Sequence, residues 1–341
     1  MDKKKYILSV QPVSRSKKYQ KPSFINKNDL QKTLVKKGLN IVLGEILKGG
    51  TVSQVYSGYL NSKPIVVKHT EDLVPFDPTE FFISKKGHNI DSHVLNLLAK
   101  EKKIKTPKIF RHFPEIATTI MEDMRCFGYE LMSEQILKGK LLLISAPKVA
   151  KSLASLAQIS RKWKNFGTNE SAEQSIYERG LELRLAYPNT QKEYLTLEKE
   201  FVSNNQFWVW PDGHPKNIFI NENGEVALID FGRSCWGDQR YMLPNFLAHI
   251  VIFTLTGHLN KAQSIEYIEN CTSSYKELES VDEEIFCQYL AMEVLHRTNG
   301  KWIEGVDNYK QKIKLYTFSL RVFDEKIDSV KKLLSLLKTC T

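Results

Sequence analysis

Short apolar runs rich in β-branched and aromatic residues mark the first third of the chain. Three of them lie at 41–47, 52–60 and 64–69, and a fourth lies at 116–121. Runs of four to nine residues bounded by Gly, Asn and Ser are typical of β-strands. The pattern therefore predicts a strand at each of these places.

Later in the chain, apolar residues recur at the three- and four-residue spacing of amphipathic helices. The predicted helices cover 89–100, 147–163, one or two segments of 173–203, 244–257, 260–278, 282–298 and 308–338. The most apolar stretch, 246–255, has about half the length of a bilayer crossing, so it predicts a buried helix. Residues 1–39 predict an irregular basic leader, with one strand at 5–10.

A cluster of polar residues lies between two of the predicted helices. Asp212 precedes Asn217, and Asp230 opens the sequence Asp-Phe-Gly. The stretch 218–229 consists of two apolar runs around an Asn-Gly turn, which predicts a β-hairpin. The hairpin would return Asp230 to Asn217, so that two oxygen ligands converge on one hard cation. Asp212 is then placed as the base for a substrate hydroxyl.

A second set of candidate residues lies among the predicted strands. Glycines in a turn allow a backbone to lie close over phosphates, and a lysine ending the third strand can reach the same phosphates. These residues are Gly49, Gly50, Thr51, Ser53 and Lys68. Asp91, near the start of the next predicted helix, is the candidate partner of Lys68. The alternative is that its charge only favours the positive end of that helix.

Taken together, these motifs resemble the aminoglycoside phosphotransferase/choline kinase branch of the protein-kinase-like fold, over residues 40–255. The motifs are Gly49-Gly50, Lys68, Met121-Glu-Asp123, Asp212-Gly-His-Pro-Lys-Asn217, Asp230-Phe-Gly232 and Gly237-Asp238. His214-Pro215 follows Asp212 where Ser/Thr protein kinases usually carry Lys, and no Ala-Pro-Glu follows Asp-Phe-Gly. Both details favour the small-molecule branch over protein kinases.

The resemblance implies an α+β fold of two lobes. A small β-rich N-lobe with a five-stranded sheet and one helix would be followed by a larger, mainly helical C-lobe that carries the catalytic loops. In this division 1–39 is the basic leader, 40–125 is the nucleotide-binding N-lobe and 126–341 is the C-lobe with the catalytic and metal-binding loops.

The resemblance also assigns positions and shows departures. It implies that Met121 and Asp123 lie at the hinge where adenine meets backbone groups. Trp210 stands where the family usually has a His that braces the catalytic loop, and Met242 stands where it often has a second Asp. The first departure puts the geometry of the loop in question more than the activity.

Composition and charge indicate the cellular compartment and the kinds of partner. The chain of 341 residues is 42% hydrophobic and 26% charged, and its five cysteines are scattered without a Cys-x-x-Cys pair. This favours a reducing cytoplasmic compartment. Much of the net charge of +10 lies in the first 22 residues, and we interpret it as a solvated surface that also attracts ATP. No nucleic acid or membrane partner is expected, and the oligomeric state stays open.

The combined prediction is an ATP- and Mg²⁺-dependent phosphotransferase that acts on a hydroxyl of a small molecule, such as an aminoglycoside, an amino alcohol or a sugar. The alternatives are a protein-directed kinase and a non-catalytic nucleotide-binding scaffold. The missing Ala-Pro-Glu segment disfavours the first alternative, and the presence of all four residues Lys68, Asp212, Asn217 and Asp230 disfavours the second.

The phosphate acceptor is the least defined part of the prediction. Acidic residues between 170 and 200 would suit a cationic acceptor, although a solvated helix face is equally consistent with them. They include Glu170, Glu173, Glu178, Glu182 and Glu193. On a later predicted helix, Glu293 and Arg297 are four residues apart, which predicts an ion pair, with a substrate contact as the alternative.

Overall fold

The computed structural model describes residues 25–47, 53–70, 85–163, 191–204, 207–299 and 305–340. These residues form a β-rich N-terminal part followed by a mainly helical part. No helix within the described ranges combines the length and the apolar character of a membrane span. The candidate strand at 5–10 and the glycine turn at 49–51 lie outside the described residues.

An antiparallel sheet of five strands forms the N-terminal part. The strands are β1 (Ile41–Ile46), β2 (Ser53–Leu60), β3 (Lys63–Thr70), β4 (Ile109–Phe113) and β5 (Thr118–Glu122), in the spatial order β1-β2-β3-β5-β4. Asn61 and Ser62 make the turn between β2 and β3 with φ of 49° and 64°, the left-handed geometry that suits a two-residue hairpin loop. The four strands predicted at 41–47, 52–60, 64–69 and 116–121 are present with slightly shifted ends.

Helix α1 (Lys27–Lys36) packs against this sheet. Its Leu30 and Leu34 are buried in one cluster with apolar residues of the sheet. The Asn26 side chain caps the helix by accepting a hydrogen bond from Asp29 N, and Gln31 Oε1 accepts one from Leu43 N. The expectation of an irregular leader is therefore wrong for this segment, because two leucines one turn apart have an apolar face to cover.

Helix α2 (Lys85–Glu101) connects the two parts of the molecule. Its apolar residues Val94, Leu95 and Leu98 are buried in the same cluster as the core of the helical part. Its polar residues His88 and Asp91 are also buried, and they contact the strands. The helix begins before the stretch 89–100 that the apolar spacing predicts.

The helical part surrounds one large apolar core. Its helices within the described ranges are α3 (Met132–Leu137), α4 (Ala146–Ser160), α5 (Gln191–Ser203), α6 (Met242–Leu255), α7 (Lys261–Lys276), α8 (Glu283–Asn299), α9 (Tyr309–Asp324) and α10 (Val330–Thr339). Nearly every residue of α6 is buried, as its continuous apolar sequence predicts.

The single helix predicted over 308–338 is wrong, because the chain turns between α9 and α10. Lys326 adopts φ of 50°, a left-handed conformation that an α-helix cannot contain. The Ser329 side chain then accepts a hydrogen bond from Lys332 N and starts α10. The apolar pattern alone does not reveal this break, since it continues on both sides.

Short strands hold the loops that carry the candidate site. They are β6 (Glu130–Leu131), β7 (Phe207–Val209), β8 (Ile218–Ile220), β9 (Val226–Leu228) and β10 (Cys235–Gly237). Antiparallel pairing of β8 with β9 forms the predicted hairpin, and β7 pairs with β10. Gly224 in the hairpin turn has φ of 71°, and a Cβ there would lie 2.8 Å from Ile144 Cγ2, so the Asn-Gly signal reflects both backbone and packing.

Candidate active site

The loop after β7 holds Asp212 and Asn217 side by side. Asn217 Nδ2 donates a hydrogen bond of 2.9 Å to the backbone oxygen of Asp212 and lies 3.4 Å from its Oδ2. The backbone N of Asn217 donates to His214 O at 2.8 Å. Asn217 is buried, whereas the side chain of Asp212 keeps 19% of its surface exposed. The carboxylate of Asp212 is therefore fixed by its loop and still reachable.

Basic groups keep Asp212 ionised. Burial by itself would raise the pKa of its carboxyl. The ring of His214, with Nε2 at 3.4 Å from Oδ1, acts in the opposite direction, together with Arg233 and Arg297. The pKa of Asp212 is consequently held well below its usual range, and the group is available as a proton acceptor at neutral pH.

The β8–β9 hairpin brings Asp230 back to the same loop, as the sequence predicts. Ile229 N, immediately before Asp230, donates to Asn217 O at 3.0 Å. Asp230 has φ of 60°, which is uncommon for a residue other than glycine but is tolerated by Asp and Asn. Its side chain is 41% exposed, so it faces the accessible side of the site.

Trp210 fixes the backbone of Asp230. Its indole Nε1 donates a hydrogen bond of 2.9 Å to Asp230 O, and its ring lies 4.9 Å from the ring of Phe231. Trp210 itself is fully buried. The indole therefore braces the end of β7, which leads into the loop of Asp212, against the Asp-Phe-Gly segment, at the position where the resemblance leads one to expect a histidine.

Replacing Trp210 by Phe is expected to lower the free energy of unfolding by about 1–3 kcal/mol. The ring contact with Phe231 would remain in part, but the Asp230 carbonyl would lose its donor in a low-dielectric environment. Urea unfolding of both proteins measures the difference. The change Trp236→Phe is the matched control, since it removes an indole nitrogen that is not bonded to Asp230; equal losses in the two variants would contradict the prediction.

Lys68 on β3 joins the two halves of the site. Its Nζ lies 2.8 Å from Asp91 Oδ2 and 2.9 Å from Asp230 Oδ1. Burial would lower the pKa of Lys68, but the two carboxylates outweigh burial and raise it. The predicted pairing of Lys68 with Asp91 is thus present, and the sequence did not reveal the second contact, with Asp230.

Asp91 makes a further contact with the Asp-Phe-Gly segment. Its Oδ1 accepts a hydrogen bond of 2.8 Å from Phe231 N. One short carboxylate therefore bridges a lysine on the sheet and a backbone amide in the helical part. This position excludes the alternative in which Asp91 serves only the helix dipole.

Asn217 and Asp230 suit a Mg²⁺ ion. Asn217 Nδ2 donates its hydrogen bond to Asp212 O, so the amide oxygen of Asn217 is the atom that can bind a cation. Asp230 offers an accessible carboxylate. Among the described residues no group of three His, Cys, Asp or Glu side chains could hold a metal unaided. Mg²⁺ commonly takes one or two protein oxygens and completes its shell with phosphates and water, so the donor set fits a nucleotide-bound ion.

Of the other residues predicted to contact the nucleotide, the structure describes Met121, Asp123 and Ser53. Met121 is buried on β5, and both carboxylate oxygens of Asp123 accept hydrogen bonds from Arg125. A base at this stretch would therefore meet backbone atoms rather than the Asp123 side chain. Ser53 Oγ lies 2.7 Å from Thr70 Oγ1 at the start of β2. Gly49, Gly50 and Thr51 lie outside the described residues.

A buried polar network lies beside the lysine, between α2 and the sheet. His88 contacts Thr70 Oγ1 through Nδ1 at 3.1 Å and Thr119 Oγ1 through Nε2 at 2.8 Å. Its ring stacks on that of His112 with centroids 5.6 Å apart. Burial, then the charge of Lys68, lowers the pKa of His88 to about 3.

Acid is expected to destabilise the protein through His88. Because its folded pKa lies below the unfolded value, His88 contributes stability above pH 6.5 that is lost as the pH falls toward 3. The expected loss is about 1.4 kcal/mol per pH unit within this window. Urea unfolding between pH 7 and 4.5 should show a shallower pH dependence for His88→Gln than for the unaltered protein. Exposed His93→Gln is the control, and parallel curves for all three proteins would refute the assignment.

Several residues that hold the site were not found from the sequence. Asn245 Nδ2 on α6 donates to Pro211 O at 3.0 Å, beside Asp212. Tyr241 Oη donates to Glu293, whose Oε1 pairs with Arg297 at 2.7 Å. The predicted ion pair on α8 is therefore present. Of these contacts only the Glu293–Arg297 pair could be predicted, from its four-residue spacing. The contacts between helices leave no signal in the apolar spacing of the sequence.

Asp238 has a structural role in the described residues. Its carboxylate accepts hydrogen bonds from the backbone and guanidinium of Arg240 and, at 3.0 Å, from Tyr289 Oη. Both oxygens are thus engaged in fixing the turn before α6. Met242, at the place of a second acidic residue, is fully buried in the apolar core.

Residues 146–278 match the model of the phosphotransferase enzyme family. The matched segment contains Asp212, Asn217 and Asp230 and supports a phosphotransferase. No curated protein has a sequence that matches the chain.

Solved structures with the same fold include kinases of small molecules. A choline kinase from Cryptosporidium parvum Iowa II is 13% identical over 92% of this chain and 99% of its own, with a TM-score of 0.57. Amicoumacin kinase hAmiN in complex with AMP-PNP, Ca²⁺ and Ami is 12% identical over 87% and 94%, with a TM-score of 0.56. Choline kinase LicA from Streptococcus pneumoniae is 16% identical over 87% and 99%, with a TM-score of 0.52.

These comparisons confirm the resemblance to the aminoglycoside phosphotransferase/choline kinase family that the motifs indicate. The chain has the two-lobed α+β, protein-kinase-like fold, with a β-rich N-terminal lobe and a mainly helical remainder.

Proposed function

We propose that the protein is an ATP- and Mg²⁺-dependent phosphotransferase that phosphorylates a hydroxyl group of a small molecule. The carrying observation is that Lys68 lies 2.9 Å from Asp230 although 162 positions (230 minus 68) separate them in the chain. The loop of Asp212 and Asn217 adjoins this pair. The family match supports a phosphotransferase, and the likeness to a kinase solved with AMP-PNP and Ca²⁺ favours a nucleotide with a divalent cation.

Each residue has a distinct role in this proposal. Lys68 orients the nucleotide phosphates, and the turn at 49–53 covers them. Asn217 and Asp230 would hold Mg²⁺, which supplies positive charge against the β- and γ-phosphates. Asp212 aligns the acceptor hydroxyl and receives its proton. A bond forms between the acceptor oxygen and the γ-phosphorus, the bond from that phosphorus to the bridging oxygen breaks, and ADP leaves.

The charges around Asp212 limit how the acceptor binds. Arg233 and Arg297 act on the carboxylate, so a cationic group next to the reacting hydroxyl would be repelled. Glu293, the nearby acid on α8, is already engaged by Tyr241 and Arg297. A cationic acceptor would need other acidic partners; Glu193 lies on α5, and Glu170, Glu173, Glu178 and Glu182 lie outside the described residues.

A transfer assay tests the proposal. Labelled ATP with Mg²⁺ is offered to aminoglycosides, amino alcohols and the matched sugars glucosamine, glucose and glucuronate, which differ in charge but share a ring. A labelled small product made by the unaltered protein and not by Asp212→Asn is the expected result. No transfer to any of these acceptors or to a cell metabolite extract would overturn the proposal.

Two other outcomes correspond to the alternatives. Transfer to proteins without transfer to metabolites would indicate a protein-directed kinase, which the missing Ala-Pro-Glu segment disfavours. Binding of Mg²⁺-AMP-PNP without any turnover would indicate a scaffold. The contacts that bring Lys68 to Asp230 and Asn217 to Asp212 argue against a scaffold, because they hold together the groups that phosphate transfer requires.

Within this proposal, residues 40–125 form the nucleotide-binding lobe and 126–341 the lobe with the catalytic and metal-binding loops. Helix α1 packs on the sheet, so the functional N-lobe extends into the basic leader. The five cysteines are free thiols, which agrees with the cytoplasmic compartment that we propose.

A further inference from the structure

Two glycines meet where helix α2 approaches the Asp-Phe-Gly segment. A Cβ added to Gly87 would lie 2.8 Å from the backbone oxygen of Gly232, and a Cβ added to Gly232 would lie 3.1 Å from the backbone oxygen of Gly87. Backbone oxygens cannot rotate away as the end of a side chain can. Any side chain at position 87 would therefore push the helix and the segment apart.

This close approach coincides with the contacts of Asp91. Asp91 lies four residues after Gly87, hence on the same face of α2. Its two oxygens reach Lys68 Nζ and Phe231 N, both at 2.8 Å. An aspartate has a single methylene between backbone and carboxylate, so both contacts require the helix to lie close to Phe231. The glycine pair provides that distance.

We propose that Gly87 and Gly232 are positioning residues that set the distance at which Asp91 can hold Lys68 and the Asp-Phe-Gly segment together. The inference rests on the proposed function in so far as Lys68 and Asp230 bind the nucleotide. It adds that the length of the side chain at position 91 and the bulk at position 87 are matched to each other. A longer carboxylate requires a wider gap, and a wider gap requires a longer carboxylate.

Four proteins test this match: the unaltered chain, Gly87→Ala, Asp91→Glu and the double variant. Each single change is expected to lower kcat/KM for ATP by about 10- to 100-fold, because a displacement near 1 Å misaligns the reacting groups. In the double variant the wider gap and the longer side chain compensate, so kcat/KM should exceed that of either single variant. Additive losses, or no effect of Gly87→Ala, would overturn the proposal.

The same four proteins are compared by urea unfolding without nucleotide. Compensation should appear there too: the urea midpoint of the double variant should be higher than the value obtained by adding the two single-variant shifts. Helix propensity alone would raise the midpoint of Gly87→Ala, because Ala favours a helix more than Gly does. A lower midpoint would therefore come from the close approach of position 87 to Gly232. Exposed Asn96→Ala on the same helix is the control for propensity.

The two readouts separate the inference from the proposed function. If the unaltered protein neither binds Mg²⁺-AMP-PNP nor transfers phosphate, the proposed function fails, while the unfolding cycle still decides whether positions 87 and 91 are coupled. If phosphate is transferred but the double variant shows no compensation in either measurement, the positioning role of the glycines is wrong and the kinase assignment stands.

Discussion

Replacing Asp212 by Asn is expected to lower kcat for phosphate transfer by about 10²- to 10⁴-fold, the range that a positioned general base contributes. An amide has nearly the shape of the carboxylate but cannot take up the proton of the acceptor hydroxyl. Asn217 bonds to the backbone oxygen of residue 212, so the loop should keep its geometry. The dissociation constant for Mg²⁺-AMP-PNP should therefore change by less than about threefold, well under the 1.4 kcal/mol of a tenfold effect.

Steady-state kinetics and titration calorimetry on the same preparation measure the two quantities. Asp324→Asn, an exposed aspartate at the end of α9, is the control for loss of one negative charge elsewhere. A variant at position 212 that kept more than a tenth of the activity would show that Asp212 is not the base. A parallel loss of nucleotide affinity would place it among the metal-binding groups instead.

The core of this site could be predicted because its signal is local in sequence. The spacing of Asp212 and Asn217 and the Asn-Gly hairpin before Asp230 are short-range features, and antiparallel pairing of two adjacent runs returns the end of the second to the start of the first. The pairing of Lys68 with Asp91 joins a strand to the next helix. It could be proposed from the order of the motifs, but the structure alone gives the distance of 2.8 Å.

The bracing groups could not be predicted, because they act across distant parts of the chain. Nothing in the pattern around Trp210 indicates that its indole bonds to Asp230 O. Gly87 in the first turn of α2 looks like a weak point in a helix until the backbone of Gly232 is found against it. Such contacts depend on how whole elements pack, which the periodicity of one element does not encode.

Breaks and caps were missed for a different reason. The turn at Lys326 has neither Gly nor Pro to announce it, and the start of α1 depends on the single side chain of Asn26. At Lys326 the apolar stripe continues on both sides of the break, whereas in α1 only Leu30 and Leu34 are buried in the cluster with the sheet, too few to mark a helix by their spacing. The tertiary core then decides the boundary, because a leucine face is buried wherever a partner surface exists.

Replacing Asp230 by Asn is expected to weaken the binding of Mg²⁺-AMP-PNP by about 100-fold. Changing a residue that only hydrogen-bonds a metal ligand typically costs about 10- to 100-fold in metal affinity, and changing a ligand itself should cost at least the upper end of that range. The change removes the negative charge that the site offers to the cation and leaves a weaker amide ligand. Asn tolerates the left-handed backbone at this position, where φ is 60°. Lys68 keeps its contact with Asp91, so no buried charge is left without a partner and the protein should remain folded.

Titration calorimetry with and without Mg²⁺ isolates the role of the metal. The expected loss belongs to the metal-dependent part of the affinity, so the unaltered protein and Asp230→Asn should bind AMP-PNP similarly in EDTA. Equal affinities in the presence of Mg²⁺ would remove Asp230 from the metal site. A loss of equal size with and without Mg²⁺ would instead mean that Asp230 acts through Lys68, whose ammonium it contacts at 2.9 Å, and that the phosphates are held by the lysine alone.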